Sequence, residues 1–335
     1  MKVTISDLAK QAGVSTATVD RVVNQRNGVR PETREQVLTV ADRLGYPVSI
    51  YPPITLDFLL PGSTNTYLNL LAQSLQAQDD LPFKARIRVH RMERFSDPNA
   101  VCKKLLSLRT DSDGIGMIVM DHPKVREAIR ELNAAEIPLL MLVSDIPDAN
   151  RIGYIGVDSR AAGRLAGMLL GKFMKSKRRC KVALFAGSLS YRDHSEREFG
   201  FRQVLADEFP ELTIVQLQEN FDDWKRSYAT TESLLGMHRD LGGIYNIGGG
   251  NRGIAQALEE AGQAGKIVFI GHELTDHTRR FLLDGTMDAV IDQEPRREAR
   301  EAVIALSRAA RGLPVQSSNL TVGIQVIFRE NIPAT

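Results

Sequence analysis

Two groups of residues in this 335-residue sequence have types and spacings that could do chemistry. The first lies near the N-terminus, where Ser15 can cap a short helix and Arg21 would project from it. Arginine carries a fork of N–H donors that matches the N7 and O6 acceptors of guanine. The second group is spread over the rest of the chain, where polar residues follow successive apolar runs. An arginine and carboxylates in that pattern can form paired hydrogen bonds to the hydroxyls of a small polyol.

Catalysis is the competing interpretation of the same polar residues. Two adjacent pairs, Asp121-His122 and His272-Glu273, have the side chains of a general acid and base. No nucleophile elbow, metal-ligand spacing or phosphate loop completes a mechanism, and the Gly-rich stretch 245–253 matches neither a P-loop nor GxGxxG. We therefore expect neither an enzyme nor a bound cofactor.

The composition bounds the class of protein. Hydrophobic residues make up 43% and charged residues 25%, as in ordinary globular domains. No apolar run approaches the length of a membrane span, and the N-terminus lacks the apolar core of a signal peptide, so we expect a cytoplasmic protein. Cys102 and Cys180 are expected to be reduced, partly buried thiols.

Residues 1–47 are predicted to form three helices that position the Arg21 region. Thr4 forms a capping pair for the first helix, Ser15 caps the second, and Pro31 suits the first turn of the third. Apolar residues at helical spacing predict one shared core, formed by Leu8, Ala9, Ala12, Val19, Val22, Val23, Val37, Val40, Ala41 and Leu44.

The motif A-G-V-S-x-x-T-V-x-R-V-V-N, with the later T-R-E-x-V and L-G-Y, has the pattern of a helix-turn-helix. With these motifs, residues 3–46 resemble the N-terminal domain of the LacI/GalR repressor family. The resemblance implies binding to double-stranded operator DNA, with positions 16, 17 and 21 reading bases. Adding the side chains suited to phosphate or base contacts gives eight candidates: Ser15, Thr16, Ala17, Thr18, Asp20, Arg21, Asn24 and Arg34.

Two features depart from the family pattern. Asp20 replaces a small hydroxyl residue, and it could accept from a cytosine amino group, orient Arg21 or serve only as an intrahelical partner of Asn24. Residues 48–54 contain Pro52-Pro53 where family members carry a hinge helix, so we expect a short extended linker. The hinge helix's usual wedge into the minor groove is therefore in doubt here.

From Thr55 onward, short apolar runs alternate with amphipathic segments, which is typical of βαβ units in parallel sheets. The predicted strands are 55–60, 85–92, 116–120, 139–144, 181–186, 213–218, 243–247, 266–271 and 288–292, with a C-terminal strand around 323–328. The predicted helices are 66–78, 99–108, 124–135, 159–174, 196–208, 228–237, 253–261, 275–283 and 295–310. The number of strands exceeds what one compact sheet needs, so we expect two lobes.

Residues 55–335 resemble the type I periplasmic-binding-protein-like domain of the same family, which binds a ligand between its lobes. The resulting fold prediction is a small all-α helix-turn-helix domain followed by a two-lobed α/β domain with parallel sheets. Chain crossings are expected near Val157, Asp292 and Val322. The predicted first lobe comprises 55–157 and 292–320, and the predicted second lobe comprises 158–291 and 321–335.

Polar residues after the strands should converge on the crevice between the lobes. R-E-F-G-F at 197–201, G-H-E at 271–273 and I-D-Q at 291–293 resemble the sugar-contacting motifs of the family. Arg197 could instead be a surface ion-pair partner, and Trp224 a packing residue rather than a cover for a sugar ring. The candidate effector-binding residues are Asn65, Tyr67, Asp121, His122, Arg192, Arg197, Trp224, Asn246, Asn251, His272, Glu273 and Gln293.

The sequence thus predicts a transcriptional regulator, a repressor rather than an activator, that is controlled by a sugar, polyol or sugar acid. Residues 1–47 carry seven Lys and Arg against five Asp and Glu, a modest excess for DNA binding, so a homodimer or a tetramer is expected. The alternatives are an exported solute-binding protein and a sugar-acting enzyme on the same fold.

Overall fold

The computed structural model describes residues 3–24, 26–44, 46, 54–63, 65–78, 85–93, 95–175, 180–315 and 319–334. The predicted linker, apart from Ile54, lies outside the described residues. None of the helices within these ranges has the length and apolar content that crossing a bilayer requires.

Three short helices form the N-terminal domain: α1 (Ile5–Ala12), α2 (Thr16–Val23) and α3 (Pro31–Arg43). The two predicted caps are confirmed: the Thr4 hydroxyl accepts from the Asp7 N–H at 3.3 Å, and the Ser15 hydroxyl accepts from the Thr18 N–H at 3.1 Å. Between α1 and α2, Gly13 has a left-handed φ of 62°, which lets the chain turn without a Cβ clash.

A single apolar cluster holds the three helices together. Its members have the predicted spacing, and α3 also donates from Gln36 Nε2 to the Ala12 carbonyl at 2.8 Å. Val23 and Leu44 are only partly buried at the edge of the cluster. Its fully buried members are Leu8, Ala9, Ala12, Val19, Val22, Val37, Val40 and Ala41.

The rest of the described chain alternates between strands and helices. The strands are β1 (Ile54–Pro61), β2 (Ala85–Met92), β3 (Gly114–Met117), β4 (Leu139–Leu142), β5 (Gly153–Gly156), β6 (Lys181–Ala186), β7 (Thr213–Glu219), β8 (Leu241–Asn246), β9 (Val268–His272), β10 (Ala289–Asp292), β11 (Asn319–Thr321) and β12 (Gln325–Ile327). The helices are α4 (Thr66–Gln76), α5 (Pro98–Ser107), α6 (Pro123–Ala134), α7 (Ser159–Met174), α8 (Arg192–Glu208), α9 (Trp224–Met237), α10 (Asn251–Glu260), α11 (Asp276–Leu283) and α12 (Pro295–Ala309).

Two six-stranded sheets define the two lobes. The first has the order β11-β5-β4-β3-β1-β2, and the second has the order β12-β10-β9-β8-β6-β7. All strand pairs in these sheets are parallel except β10 with β12, which is antiparallel. Parallel strands require crossover helices, so each sheet is covered by helices and the strands are nearly continuous apolar runs.

Helix α12 returns to the first lobe after the chain has built most of the second. Its Ala299, Ala302, Val303 and Leu306 are fully buried in the apolar core around β1, β3 and β4. The chain therefore crosses between the lobes after β5, after β10 and after β11. The predicted lobe limits differ from the sheets by one residue, because Asp292 ends β10 in the second lobe and Thr321 ends β11 in the first.

The remaining differences from the sequence prediction are local. Strands β5 and β11 were not predicted, and α8 and α9 each begin four residues earlier than expected. Residues 118–120, assigned to a strand, follow β3 outside regular structure. Cys102 is half-buried as expected, but Cys180 is exposed, which corrects the prediction for that thiol. Both are free thiols.

Candidate functional site

Helix α2 presents an exposed polar face to the outside of the N-terminal domain. Ser15, Thr16, Ala17 and Arg21 are exposed, while Val19 and Val22 on the opposite face are fully buried. Within the described part of the chain, no hydrogen bond or ion pair is recorded for the Arg21 guanidinium. The helix can therefore approach a duplex with this face and with its arginine fork available.

The other four candidates on this surface are already engaged within the domain. Asp20 accepts from Asn24 Nδ2 at 2.7 Å and from Arg26 Nη1 at 2.9 Å, which is the intrahelical role held open in the sequence analysis. Arg34 Nη2 donates to the Arg26 carbonyl at 2.8 Å. Asn24 and Arg34 thus stabilise the turn that follows α2, and Thr18 is half-buried and shares its hydroxyl with Ser15.

A cavity of about 330 Å³ lies between the two lobes, at the carboxyl ends of both sheets. Pockets that bind small molecules begin at about this size. Eight of the twelve candidate effector-binding residues line it: Asn65, Tyr67, Arg197, Trp224, Asn251, His272, Glu273 and Gln293. The loops after the strands therefore meet at one crevice, as parallel topology requires.

The other four candidates do not line this cavity. Asp121 is exposed and forms a bidentate pair with Arg126 at 2.6 and 2.7 Å, and His122 caps α6 by accepting from the Lys124 N–H at 3.2 Å. Arg192 pairs with Glu196 on the outside of α8. For these positions the prediction of a place in the crevice is corrected.

Asn246 is the fourth candidate outside the cavity wall, although it is fully buried. Its side-chain Nδ2 donates to the carbonyls of Gly248 and Gly249 at 3.0 and 3.2 Å, and to Asn251 Oδ1 at 2.7 Å. Asn251 in turn donates to the His272 carbonyl at 3.0 Å. Asn246 therefore shapes the Gly-rich turn from behind and positions Asn251.

Arg197 is a buried charge of the cavity, not the surface ion-pair partner that the sequence left open. It is 2% exposed, and it donates to the Ile247 carbonyl at 3.0 Å and to Gln293 Oε1 at 2.6 Å. Burial alone would lower the pKa of Arg197, but nearby Asp193 and its neighbours outweigh burial and raise it. The guanidinium is therefore charged, with its Nε atom buried and without a recorded partner.

Gln293 connects this arginine to a second buried group. Its Nε2 donates to Glu273 Oε1, and the other carboxyl oxygen of Glu273 is buried without a recorded partner. Burial, reinforced by the charge of Asp292, raises the pKa of Glu273 well above its usual range. The Glu273 carboxyl is therefore held in its neutral form, and it can both donate and accept at the cavity wall.

A second buried carboxyl stands behind the aromatic wall. The Tyr67 hydroxyl donates to Glu298 Oε2, and burial raises the pKa of Glu298 to about 8 and that of Tyr67 well above its usual value. Glu298 is fully buried on α12, and its other oxygen has no recorded partner. The pair fixes the Tyr67 ring at the cavity.

His272 is neutral in this environment. Burial, with the nearby charge of Arg197, holds the pKa of His272 well below its usual value. The Tyr245 hydroxyl lies 2.8 Å from His272 Nε2, and a backbone hydrogen bond to Ile291 raises the pKa of the imidazole without offsetting burial. A neutral imidazole can present one donor or one acceptor to a ligand, depending on its tautomer.

Two carboxylates of the wall belong to the predicted strand-end loops but were not among the twelve candidates. Asp222 accepts from the Gly249 N–H at 2.6 Å and, across the crevice, from Asn65 Nδ2 at 3.2 Å. Asp193 is 6% exposed in the first turn of α8, next to His194. Both carboxylates follow strand ends, so the strand-end rule could have found them, but no motif marked them.

Aromatic rings close the apolar part of the cavity. Trp224 lies in the wall with the Arg252 guanidinium 4.4 Å from its ring centroid. The Tyr191 hydroxyl of the second lobe donates to the Phe95 carbonyl of the first at 3.1 Å. Phe95 follows an edge strand without any polar signal, so sequence reasoning could not have placed it here.

No group of three or more His, Cys, Asp and Glu residues in the described ranges is arranged to hold a metal ion. The cavity wall itself consists of hydrogen-bonding groups: one buried guanidinium, the Glu273 carboxyl of raised pKa, a neutral imidazole and carboxylates beside aromatic rings. Hydroxyl groups of a small ligand are complementary to this mixture of donors and acceptors.

Two family models match the chain. Residues 4–48 match the model described as bacterial regulatory proteins, lacI family, and residues 99–314 match a periplasmic binding protein domain. The two matches fall on the N-terminal helices and on the two-lobed part, respectively.

Among curated proteins, the chain is 30% identical over 237 residues to the transcriptional regulator pepR1 of Lactobacillus delbrueckii subsp. lactis, covering 68% of this chain and 67% of that protein. It is 27% identical over 275 residues to catabolite control protein A of Staphylococcus xylosus, covering 78% and 79%. The match to catabolite control protein A of Priestia megaterium is 27% identical and spans 62% of each chain.

Solved structures share the fold. A glucose-galactose binding protein from Geobacillus stearothermophilus superimposes with a TM-score of 0.73 at 23% identity, covering 84% of this chain and all of that one. A LacI transcriptional regulator from Bacteroides fragilis gives a TM-score of 0.73 at 17% identity, covering 84% and 98%.

The fold and the site together define a ligand-receptor domain joined to a DNA-binding domain. The chain belongs to the lacI family of bacterial regulatory proteins and is a DNA-binding transcriptional regulator, not an enzyme.

Proposed function

We propose that this regulator is a cytoplasmic, homodimeric repressor whose operator affinity is set by a small neutral sugar or polyol bound between its lobes. The observation that carries the proposal is the cavity of about 330 Å³ between the lobes, whose wall places Arg197, Glu273 and Gln293 beside Trp224. Ligand hydroxyls that form hydrogen bonds with polar groups of this wall gain about 0.5–1.5 kcal/mol for each bond.

The charges favour a neutral ligand over a sugar acid. Arg192, which could have received an anionic group, lies outside the cavity and pairs with Glu196. Arg197 has Asp193 close by as its counter-charge, and Asp222 adds a second carboxylate to the wall. An acidic ligand would be repelled by these two carboxylates, and Arg252, the other guanidinium of the wall, lies over the Trp224 ring.

The exposed face of α2 supports the DNA-binding half of the proposal. Thr16, Ala17 and Arg21 are free to contact base edges, and Ser15 is exposed at the start of the helix, where phosphate contacts are common. One domain with two excess positive charges would bind DNA weakly, so two copies are required for useful affinity. Size-exclusion chromatography with light scattering would give the number of chains directly.

Binding can be measured through Trp224, because it is the single tryptophan of the chain and lies in the cavity wall. The probes are D-glucose, D-galactose, D-arabinose, D-tagatose and D-allose with D-gluconate as the acidic comparison. We expect one of the neutral sugars to change the Trp224 emission and to raise Tm. A ligand at about a hundred times its Kd stabilises the folded state by about 2.7 kcal/mol.

Two arginines on α8 provide a matched pair for this titration. Arg197→Gln removes the buried fork and should weaken sugar binding by at least tenfold, whereas Arg192→Gln, outside the cavity, should leave the titration unchanged. If D-gluconate alone binds, or if Arg192→Gln weakens binding as much as Arg197→Gln, the proposed ligand site is wrong.

A further inference from the structure

The DNA-binding domain touches the first lobe through an ion pair between Glu35 on α3 and Arg308 near the end of α12. Arg308 Nη2 lies 2.8 Å from Glu35 Oε2, and Nη1 faces the other carboxylate oxygen, so the contact is bidentate. These residues are 273 positions apart in the sequence. The contact is therefore tertiary and joins two separate domains.

The arginine of this pair is held in place by a second contact. Arg308 is 7% exposed and also donates from Nε to the Pro314 carbonyl at 2.7 Å, which fixes the plane of the guanidinium. The Glu35 side chain is 22% exposed. A bidentate pair with this degree of burial is stronger than an exposed surface pair, because solvent screens it less.

Helix α12 links this contact to the ligand cavity. Gln293, which pairs with Arg197, precedes its first turn, and Glu298, which pairs with Tyr67, lies in that turn. Arg308 lies at the opposite end of this 15-residue helix, about 20 Å away at the rise of an α-helix. Because its middle is packed in the core of the first lobe, α12 moves with that lobe as one rigid rod.

Helix α3 links the same contact to α2. Gln36 bonds to the end of α1, and Arg34 donates to the carbonyl of Arg26, whose guanidinium pairs with Asp20 on α2. The three helices share one apolar core, so fixing α3 fixes the orientation of α2. In this arrangement Arg21 stays exposed, so the contact leaves the base-reading face open.

We propose that the Glu35–Arg308 pair docks the DNA-binding domain on α12 in the orientation that binds operator, and that α12 thereby transmits the state of the ligand cavity to that domain. The proposal relies on the proposed function only in using operator binding and sugar binding as readouts. Docking adds affinity by removing the freedom that a domain on a loose tether would lose on binding.

The sign of the effect of Glu35→Gln tests the docking. On charge alone, removing an acidic residue from a DNA-binding domain strengthens binding to phosphates. Docking predicts the opposite: Kd for a duplex enriched from a random library by the unaltered protein should rise about tenfold. Arg308→Gln should weaken binding by a similar factor, and the charge-reversed double variant Glu35→Arg with Arg308→Glu should recover most of it.

Glu32→Gln is the matched control, because it removes the same charge from an exposed position on the same helix. It should bind operator as tightly as the unaltered protein or more tightly. If Glu35→Gln behaves like Glu32→Gln, docking is excluded while the regulator function stands. A sugar that shifts operator affinity in the unaltered protein should shift it less in Arg308→Gln, and an equal shift would exclude α12 as the link.

The pair can also be tested without DNA. A double-mutant cycle over Glu35→Gln and Arg308→Gln should give a coupling in the urea unfolding of the full chain. Failure of the unaltered protein to enrich any duplex would contradict the proposed function, whereas zero coupling in this cycle would contradict the docking on its own.

Discussion

A buried guanidinium organises the ligand cavity at the scale of single residues. Arg197 donates to the Ile247 carbonyl and to Gln293 Oε1. Gln293 in turn donates to Glu273, so the three side chains position one another. The R-x-x-G-[FW]-like motif was enough to select Arg197 from the sequence. It could not show that Arg192, five residues earlier, points away and pairs with Glu196 on the helix surface, because both arginines lie in the same polar segment.

Discrimination between base pairs should depend on a single side chain, that of Arg21. Arg21→Ala removes the free fork on the exposed face of α2, and we expect about 1–3 kcal/mol of lost discrimination at one base pair. Selection from random duplexes by the variant and the unaltered protein measures this directly. Sugar-induced stabilisation should be unchanged, and a preserved sequence preference would remove Arg21 from the reading face.

The buried Glu298 carboxyl should make stability depend on pH. Its pKa is raised by burial to about 8 from its usual 4.5, so the folded state holds a proton that the unfolded chain releases. The stability from this group is fully present below pH 4.5 and is lost as pH rises towards 8, at about 1.4 kcal/mol per pH unit.

Glu298→Gln isolates that contribution, because an amide keeps the shape and still accepts from Tyr67 without titrating. Urea unfolding at several values between pH 5 and 8 should show a smaller loss of stability with rising pH in the variant than in the unaltered chain. Equal slopes for both proteins would contradict the raised pKa.

At the scale of elements, the close crossing of α7 and α8 is what brings Arg197 to the cavity. Two glycines face the partner helix: a Cβ on Gly163 would lie 2.0 Å from the Arg197 carbonyl, and one on Gly200 would lie 2.3 Å from the Arg160 carbonyl. The helices can approach this closely only because neither position carries a side chain.

Gly163→Ala should therefore push α8 away from α7. We expect a loss of about 1–3 kcal/mol in the free energy of unfolding, together with weaker sugar binding because Arg197 moves with the helix backbone. Gly236→Ala on α9 is the control, because nothing lies within 4 Å of its added methyl and alanine favours a helix. A Gly163→Ala protein as stable as Gly236→Ala would show that the crossing tolerates the extra volume.

Periodicity predicted most elements here for a physical reason. Strands of a covered parallel sheet are apolar throughout, and the helices between them are apolar on one face, so the two patterns alternate clearly. Strands β5 and β11 could not be predicted from periodicity, because they are only four and three residues long and contain Gly or polar residues. Helices α8 and α9 begin with charged, cavity-facing turns that carry no apolar repeat.

The site was less predictable than the elements. Membership of a strand-end loop can be inferred from sequence, but whether a side chain turns into the crevice depends on partners distant in the chain. Asp121 is drawn outward by Arg126, while Asp222 is held inward by Gly249 and Asn65. These partners decide which carboxylates the ligand meets.

For the whole molecule, the relevant property is closure of the lobes. Asn65 of the first lobe donates to Asp222 of the second, and Asn65 also caps α4 by accepting from the Tyr67 N–H. Asn65→Asp keeps that cap and changes only the charge, so it places two carboxylates against each other across the crevice.

We expect Asn65→Asp to open the molecule. The radius of gyration from small-angle X-ray scattering should increase, and acrylamide should quench Trp224 more efficiently. Asn69→Asp introduces the same charge on the exposed side of α4 and should alter neither measurement. If the two variants scatter and quench alike, the Asn65–Asp222 contact plays no part in keeping the lobes together.

The two strand orders have a consequence for how the molecule works. When β6 to β10 are renumbered from one, the second sheet repeats the first: a late strand, then five, four, three, one, two. The cavity thus lies between two sheets of the same strand order, which differ in that the late strand is parallel in the first sheet and antiparallel in the second. The two halves also differ in what they carry, because only the first is attached to the DNA-binding helices and receives α12. We therefore expect ligand binding to change the position of the second half relative to the half that carries the DNA-binding helices.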